Sequence, residues 1–196
     1  LLPDGGAFVF EVQYVVDMVQ RGLFDMCYHE HLSYHSVGPL QKFFRRLGMT
    51  LVSVEQVDTH GGSIRCTVLN AEGPPTASVR AMIELERAAL TAQAWAAMAI
   101  RVERAGIQLR RHVARIKHDG RTIAGYGAPA KATTLMREFR LGSELISYVV
   151  DDSAWKQGLC MPGSSIPVRA LSGAEWISAP DVFVIFAWNF TDSILD

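Results

Sequence analysis

Tyr28-His29-Glu30-His31-Leu32-Ser33-Tyr34 concentrates proton-handling side chains: two imidazoles, a carboxylate and two phenols within seven residues. Imidazoles change charge near neutral pH, so histidine beside a carboxylate suits removal of a weakly acidic proton. The segment has two other readings. His29 and His31 form a His-x-His pair with His35 close by, which on an extended backbone places alternate side chains on one face, as a metal site requires. The same groups also serve as structural hydrogen-bonding partners.

Three other segments carry chemistry. Gly125-Tyr126-Gly127-Ala128-Pro129-Ala130-Lys131 sits between a predicted strand and a predicted helix, where backbone N–H groups and a helix start can meet a phosphate. The third glycine of a dinucleotide fingerprint is missing, with Lys131 near its place. The run also reads as a tight turn that needs no ligand. Asp151-Asp152-Ser153-Ala154-Trp155-Lys156-Gln157-Gly158 follows a predicted strand, where α/β folds bind ligands; its other reading is a polar surface loop. Thr59-His60-Gly61-Gly62-Ser63 either shapes a hairpin or lets a substrate approach the backbone closely.

The elements that position these segments are legible in outline. Leu1 to Gly6 reads as a helix end and tight turn, Ala7–Val12 as a buried strand, and Val15–Val19 as helical. Tyr28–Tyr34 falls in a loop. Ser36 is placed to cap a helix carrying Leu40, Phe43, Phe44 and Leu47, which Gly48 ends. Thr50–Val57 and Ile64–Leu69 read as two strands around the His60–Ser63 turn. After Pro74-Pro75, one long helical region is predicted over about Ser78–His118. Its apolar stripe is Trp95, Met98, Val102, Ala105, Leu109, Val113 and Ile116, with Arg101, Arg104, Gln108, Arg111 and Arg115 on another, solvated face. Thr122–Tyr126, Leu145–Val150 and Val182–Ala187 read as strands, the last buried on both faces, with a helix from the Lys131 turn to about Phe139. The β-helix-β alternation predicts a parallel, doubly wound unit.

Composition limits the function classes. The 196 residues are 49% hydrophobic and 20% charged with a net charge of −1, the profile of an ordinary globular protein. Near-neutral charge disfavours nucleic acid as main partner, and no apolar run approaches the ~20 residues of a membrane span. Cys27, Cys66 and Cys160 are odd in number and far apart, with neither a disulfide nor a zinc pattern, so a reducing cytoplasm is expected. The chain starts just before a strand and stops inside a predicted helix, as a piece of a longer protein would.

Taken in order, these segments resemble the three-domain sugar C-methyltransferases acting on nucleotide-linked keto-deoxysugars. Tyr28-His29-Glu30-His31 matches that family's Tyr-His-Glu-His signature, and Thr59–Ser63 matches another. Gly125–Lys131, Lys156-Gln157-Gly158 and Ala187-Trp188-Asn189-Phe190 resemble signatures of its C-terminal domain. The resemblance implies an α/β fold: the end of a class I methyltransferase Rossmann-like domain over 1–73, a helical connector over 74–118 and a second Rossmann-like, parallel-sheet domain over 119–196. It implies S-adenosylmethionine as methyl donor and zinc in an N-terminal region, both served by residues upstream. It implies His31 as general base, Glu30 as its orienting carboxylate and Tyr28 as hydrogen-bond partner of the sugar. His29, Tyr34, His60, Gly61, Gly127, Ala128, Lys131, Lys156 and Gln157 are the implied nucleotide-sugar contacts. The Gly125-x-Gly127 turn alone leaves two alternatives: a non-catalytic nucleotide-sugar or dinucleotide-binding module, and a nicotinamide-dependent sugar oxidoreductase.

Overall fold

A computed structural model describes residues 2–171 and 179–196; Leu1, at the expected helix end, lies outside the described residues. The chain forms two compact units, residues 1–23 with 30–100, and residues 24–29 with 101–196.

In the first unit, β1 (Ala7–Gln13) leads directly into α1 (Val15–Arg21), and α2 (Val37–Arg46) precedes β2 (Thr50–Val57) and β3 (Ser63–Leu69). The sheet order is β1-β3-β2, with β3 antiparallel to both neighbours, so β1 and β2 run parallel to each other. Strand alternation sorts the faces of β3. Ile64, Cys66 and Val68 are fully buried with Val37, Phe44 and Leu51. On the opposite face Arg65 stands opposite Glu11 on one side and Glu55 on the other, 3.0 and 3.7 Å from their carboxylates, which supports this register.

Ser36 occupies the N-cap position of α2 but makes no capping side-chain hydrogen bond. The cap comes from far away in sequence. Glu86, on α3 (Ala77–Ala89), is 5% exposed and accepts hydrogen bonds from the N–H groups of Val37 and Gly38. A carboxylate outcompetes a hydroxyl here because it satisfies two orphan donors and faces the positive end of the helix dipole.

The single helix expected over 78–118 is two helices. α3 ends at Ala89, and α4 (Ala92–His118) begins after Thr91, whose hydroxyl accepts the Ala94 N–H at 3.1 Å. Threonine competes well for such N-cap positions, and no glycine or proline marks the break. Met98 and Val113 of the expected stripe are buried, whereas Trp95 and Ala105 are exposed. Gly106 takes the buried place in that turn, because the Phe139 ring would lie 2.5 Å from any Cβ there. Arg101, Arg104, Gln108, Arg111 and Arg115 are exposed, as expected for a solvated face.

The second unit carries β4 (Ile123–Tyr126), α5 (Ala132–Glu138), β5 (Tyr148–Val150), β6 (Val168–Arg169), β7 (Val182–Ile185) and α6 (Thr191–Leu195). Its sheet order is β6-β5-β4-β7, parallel throughout, the expected α/β class. The chain passes from β4 through α5 to β5 on one side and returns as β7 on the other. The carboxyl end of β4 is therefore the point where the winding reverses, the usual ligand position in such sheets. Two details differ from expectation. β6 has no sequence signal, being two residues after Pro167. β7 is half-buried rather than buried on both faces, because it is an outer strand among the described residues.

Candidate functional site

In the first unit, two of the sequence signatures converge on the carboxyl end of β1. The Tyr14 N–H donates to the Gly62 carbonyl at 3.2 Å, and the Val15 N–H donates to the His35 carbonyl at 3.0 Å. The loop bearing Glu30, His31 and Tyr34 thus returns to this strand end through a parallel Tyr14–His35 bridge. His31 is half-buried; Glu30 and Tyr34 are exposed. Burial lowers the basicity of His35, which holds that imidazole toward its neutral form.

The His60–Gly62 turn is stitched to α1. Gly61 O accepts from Arg21 at 2.9 Å, and Arg21 also pairs with Asp58 at 3.3 Å and Asp17 at 3.6 Å. His60 itself has φ 53°, Gly61 φ 86° and Gly62 φ 136°. A Cβ on Gly62 would meet Asp17 at 2.4 Å, so the glycine is required by close packing as well as by backbone angle. Asp17, which sequence reasoning missed, is 6% exposed. Burial raises its carboxyl pKa, against the opposing charge of Arg21 and a hydrogen bond from Gln56.

In the second unit, the Gly125–Lys131 turn is filled by the protein's own groups. A Cβ on Gly125 would lie 2.3 Å from the Phe186 ring, and one on Gly127 2.7 Å from Ala187, so both glycines let β4 approach the segment after β7. The Ala128 N–H donates to Asp151 Oδ2 at 2.7 Å. The same carboxylate accepts from the Ser153 N–H at 2.9 Å and Lys156 Nζ at 3.2 Å, while Gln157 Nε2 donates to the Asp151 carbonyl at 3.0 Å. Burial pushes the Asp151 pKa up, but the Ala128 and Ser153 amides and Lys156 outweigh it and hold the carboxyl below its usual range.

Lys131 is 7% exposed. Its Nζ donates to Asn189 Oδ1 at 2.8 Å and lies 3.8 Å from the Trp188 ring centroid. Burial lowers its pKa, opposed by the charge of Asp25, and Asp25 Oδ2 accepts from Trp188 Nε1 at 2.6 Å. The Ala187–Phe190 signature is thus tied to Lys131 and to the residues just before Tyr28. Tyr28 is half-buried with its ring edge against His29, centroids 6.0 Å apart. His29, Ala128 and Lys156 line a mostly apolar cavity of about 290 Å³ with Leu159, Met161 and Thr133.

A zinc site is not supported: among the described residues no three His, Cys, Asp or Glu side chains converge as a metal site. Among those residues no helix is long and apolar enough to cross a membrane.

Comparison with known proteins adds the family. The chain is 37% identical over 200 residues to the C-methyltransferase NovU of Streptomyces niveus, a match covering all of this chain and 47% of that protein. The chain therefore spans about half the length of the curated relative it matches. Residues 58–196 match the family described as the C-methyltransferase C-terminal domain, and the chain belongs to that family.

Proposed function

We propose that the protein containing this chain transfers a methyl group to a carbon beside a ketone on a nucleotide-linked keto-deoxysugar, in the cytoplasm, with S-adenosylmethionine as methyl-donating co-substrate. The supporting observation is the convergence of two family-like signatures on one strand end, where the Gly62 and His35 carbonyls hold Tyr14 and Val15, in a chain akin to a named C-methyltransferase.

Carbon becomes nucleophilic only when its proton leaves. His31 accepts that proton, Glu30 orients the imidazole, and the Tyr28 hydroxyl donates to the oxygen on which enolate charge develops. His29, Tyr34, His60 and Gly61 contact the sugar nucleotide, and Gly127, Ala128, Lys131, Lys156 and Gln157 shape the second unit's part of its site. The donor supplies an electrophilic sulfonium methyl. The described residues do not form its pocket: β1 passes into α1 through Tyr14 without a glycine-rich loop, so this chain is assigned no contact to the donor. The nicotinamide alternative gains no support, because the Ala128 amide that a dinucleotide phosphate would meet is held by Asp151.

The test uses the full-length protein and a 4-keto sugar nucleotide. His31→Asn is expected to lose ~10²–10⁴-fold in turnover. It also loses donor-independent exchange of the carbon-bound hydrogen with deuterated solvent, while donor binding persists. Near-normal turnover or exchange overturns the assignment, and reduction of the ketone by a nicotinamide cofactor without methyl transfer overturns the reaction class.

A further inference from the structure

Lys131 and Lys156, the cations that the sequence offers for phosphate, are both engaged inside the protein, with Asn189 and Asp151. A second cavity in the same unit is built differently. It measures about 570 Å³ and runs along α5, walled by Arg110, Arg137 and Arg140 with the hydroxyl residues Thr133, Thr134 and Ser164. It shares Thr133 and Pro162 with the smaller apolar cavity that holds His29 and Ala128, so an apolar slot adjoins a basic basin.

The backbone of this basin is shaped around Arg140. The Leu141 N–H bonds the Met136 carbonyl at 2.8 Å and the Arg140 N–H bonds the Arg137 carbonyl at 3.2 Å, the pattern that ends a helix on a left-handed residue. That position strongly favours glycine, yet it holds arginine at φ 52°, a conformation that costs stability in a residue with a Cβ. Arg110, on α4, donates to the Arg140 carbonyl and pairs with Glu144 at 3.4 Å, holding the turn from outside. Among the described residues no carboxylate pairs with Arg137 or Arg140. A disfavoured backbone is thus kept where its side chain brings a second guanidinium to one cavity, and paired guanidiniums with nearby hydroxyls are the groups that recognise phosphate.

We propose that this arginine-walled cavity binds the diphosphate of a nucleoside diphosphate, with the adjoining apolar slot taking the nucleoside. The proposal rests on the nucleotide-sugar reading above and moves the anion contact from the Gly127–Lys131 turn to Arg137 and Arg140.

Calorimetric titration of the full-length protein with inorganic pyrophosphate, a panel of nucleoside diphosphates and the corresponding free nucleosides tests it. Nucleoside diphosphates are expected to bind tightest, pyrophosphate more weakly, and both more weakly as salt rises. Arg137→Gln and Arg140→Gly are each expected to weaken diphosphate binding ~10-fold or more, while the surface change Arg104→Gln has no effect. Arg140→Gly carries the discrimination, because glycine relieves the left-handed backbone: its melting temperature should not fall while its affinity does. Unchanged affinity in both variants, or free nucleoside binding as tightly as the diphosphate, overturns the site. Methyl transfer is assayed in parallel. Diphosphate binding without methyl transfer removes the reaction and leaves the site, whereas methyl transfer that is indifferent to both variants removes the site and leaves the reaction.

Discussion

Asp151 Oδ2 accepts the Ala128 N–H at 2.7 Å, placing a carboxylate of the protein where a strand–glycine–helix turn would otherwise meet a phosphate. Burial opposes its ionisation, and the Ala128 and Ser153 amides with Lys156 more than offset that. A carboxyl held below its usual range binds a proton less readily when folded than when unfolded. Its contribution is therefore present above about pH 4 and is lost as pH falls through the lowered folded-state value. Asp151→Asn should cost about 1–2 kcal/mol at pH 7 and flatten the acid limb of stability. Denaturant titrations from pH 3 to pH 7 check it; an acid limb identical to that of the parent would show that the carboxylate does not hold this turn.

Glu86 makes a comparable contact in the first unit, at the start of α2. With both oxygens accepting from Val37 and Gly38, Glu86→Gln presents an amide N–H₂ to one backbone N–H, and Glu86→Ala leaves both donors without this acceptor. The expected loss is about 2 kcal/mol for glutamine and about 3 kcal/mol for alanine. At this chain length that lowers Tm by roughly 4 to 12 °C. Substituting Ser36, whose hydroxyl does not cap, should change Tm little. Equal losses for Ser36→Ala and Glu86→Ala would contradict this capping arrangement.

What was legible in the sequence depended on how local its cause is. β1 to β4 show in alternating or apolar runs, because side-chain period is a property of the strand itself. The winding of the second unit follows from helix and strand alternation. The Leu90-Thr91 break was hidden because threonine ends and caps a helix without the glycine or proline that sequence reading depends on. β6 was hidden because Val168-Arg169 is too short to show a period and takes its identity from pairing with Val149 and Val150. At the site, His31 and His60 stood out by residue type. The partners of Lys131 did not, since Asn189 is 58 residues away, and a Gly-x-Gly turn followed by lysine reads as a phosphate site until Asp151 is seen within it. Arg137 and Arg140 left only one trace, an arginine where a helix-ending glycine would be expected.

Three glycines separate backbone freedom from packing. Gly125→Ala pushes a Cβ to 2.3 Å from the Phe186 ring and 2.9 Å from Val149 in a buried strand, and should cost about 3 kcal/mol. Gly106→Ala gains about 1 kcal/mol of helix propensity but drives the methyl against Phe139 at 2.5 Å, so its net effect is destabilising. Gly120, at φ 79° with nothing within 4 Å, should lose only about 1 kcal/mol as alanine. Chemical denaturation of the three variants should rank them Gly125 first and Gly120 well below it; a stabilised Gly106→Ala would show that Phe139 yields at no cost.

The cysteines report on the first unit's core without any substitution. Cys66 is fully buried on β3 between β1 and β2, and burial, with the Glu86 carboxylate adding to it, pushes its thiol up to about 11. At pH 8 that leaves roughly one molecule in 10³ as thiolate even before access is considered, and only the thiolate reacts. Cys27 and Cys160 are exposed. An aromatic disulfide reagent at pH 8 should therefore titrate two thiols promptly and the third at the rate at which the core opens. Because Glu86→Ala is expected to remove about 3 kcal/mol, Cys66 should then label on the order of 100-fold faster where the two events share one opening, with Cys27 and Cys160 unchanged. Prompt labelling of all three thiols in the parent protein would contradict the packing of β3, and an unchanged Cys66 rate in Glu86→Ala would show that the α2 cap and the sheet core open independently.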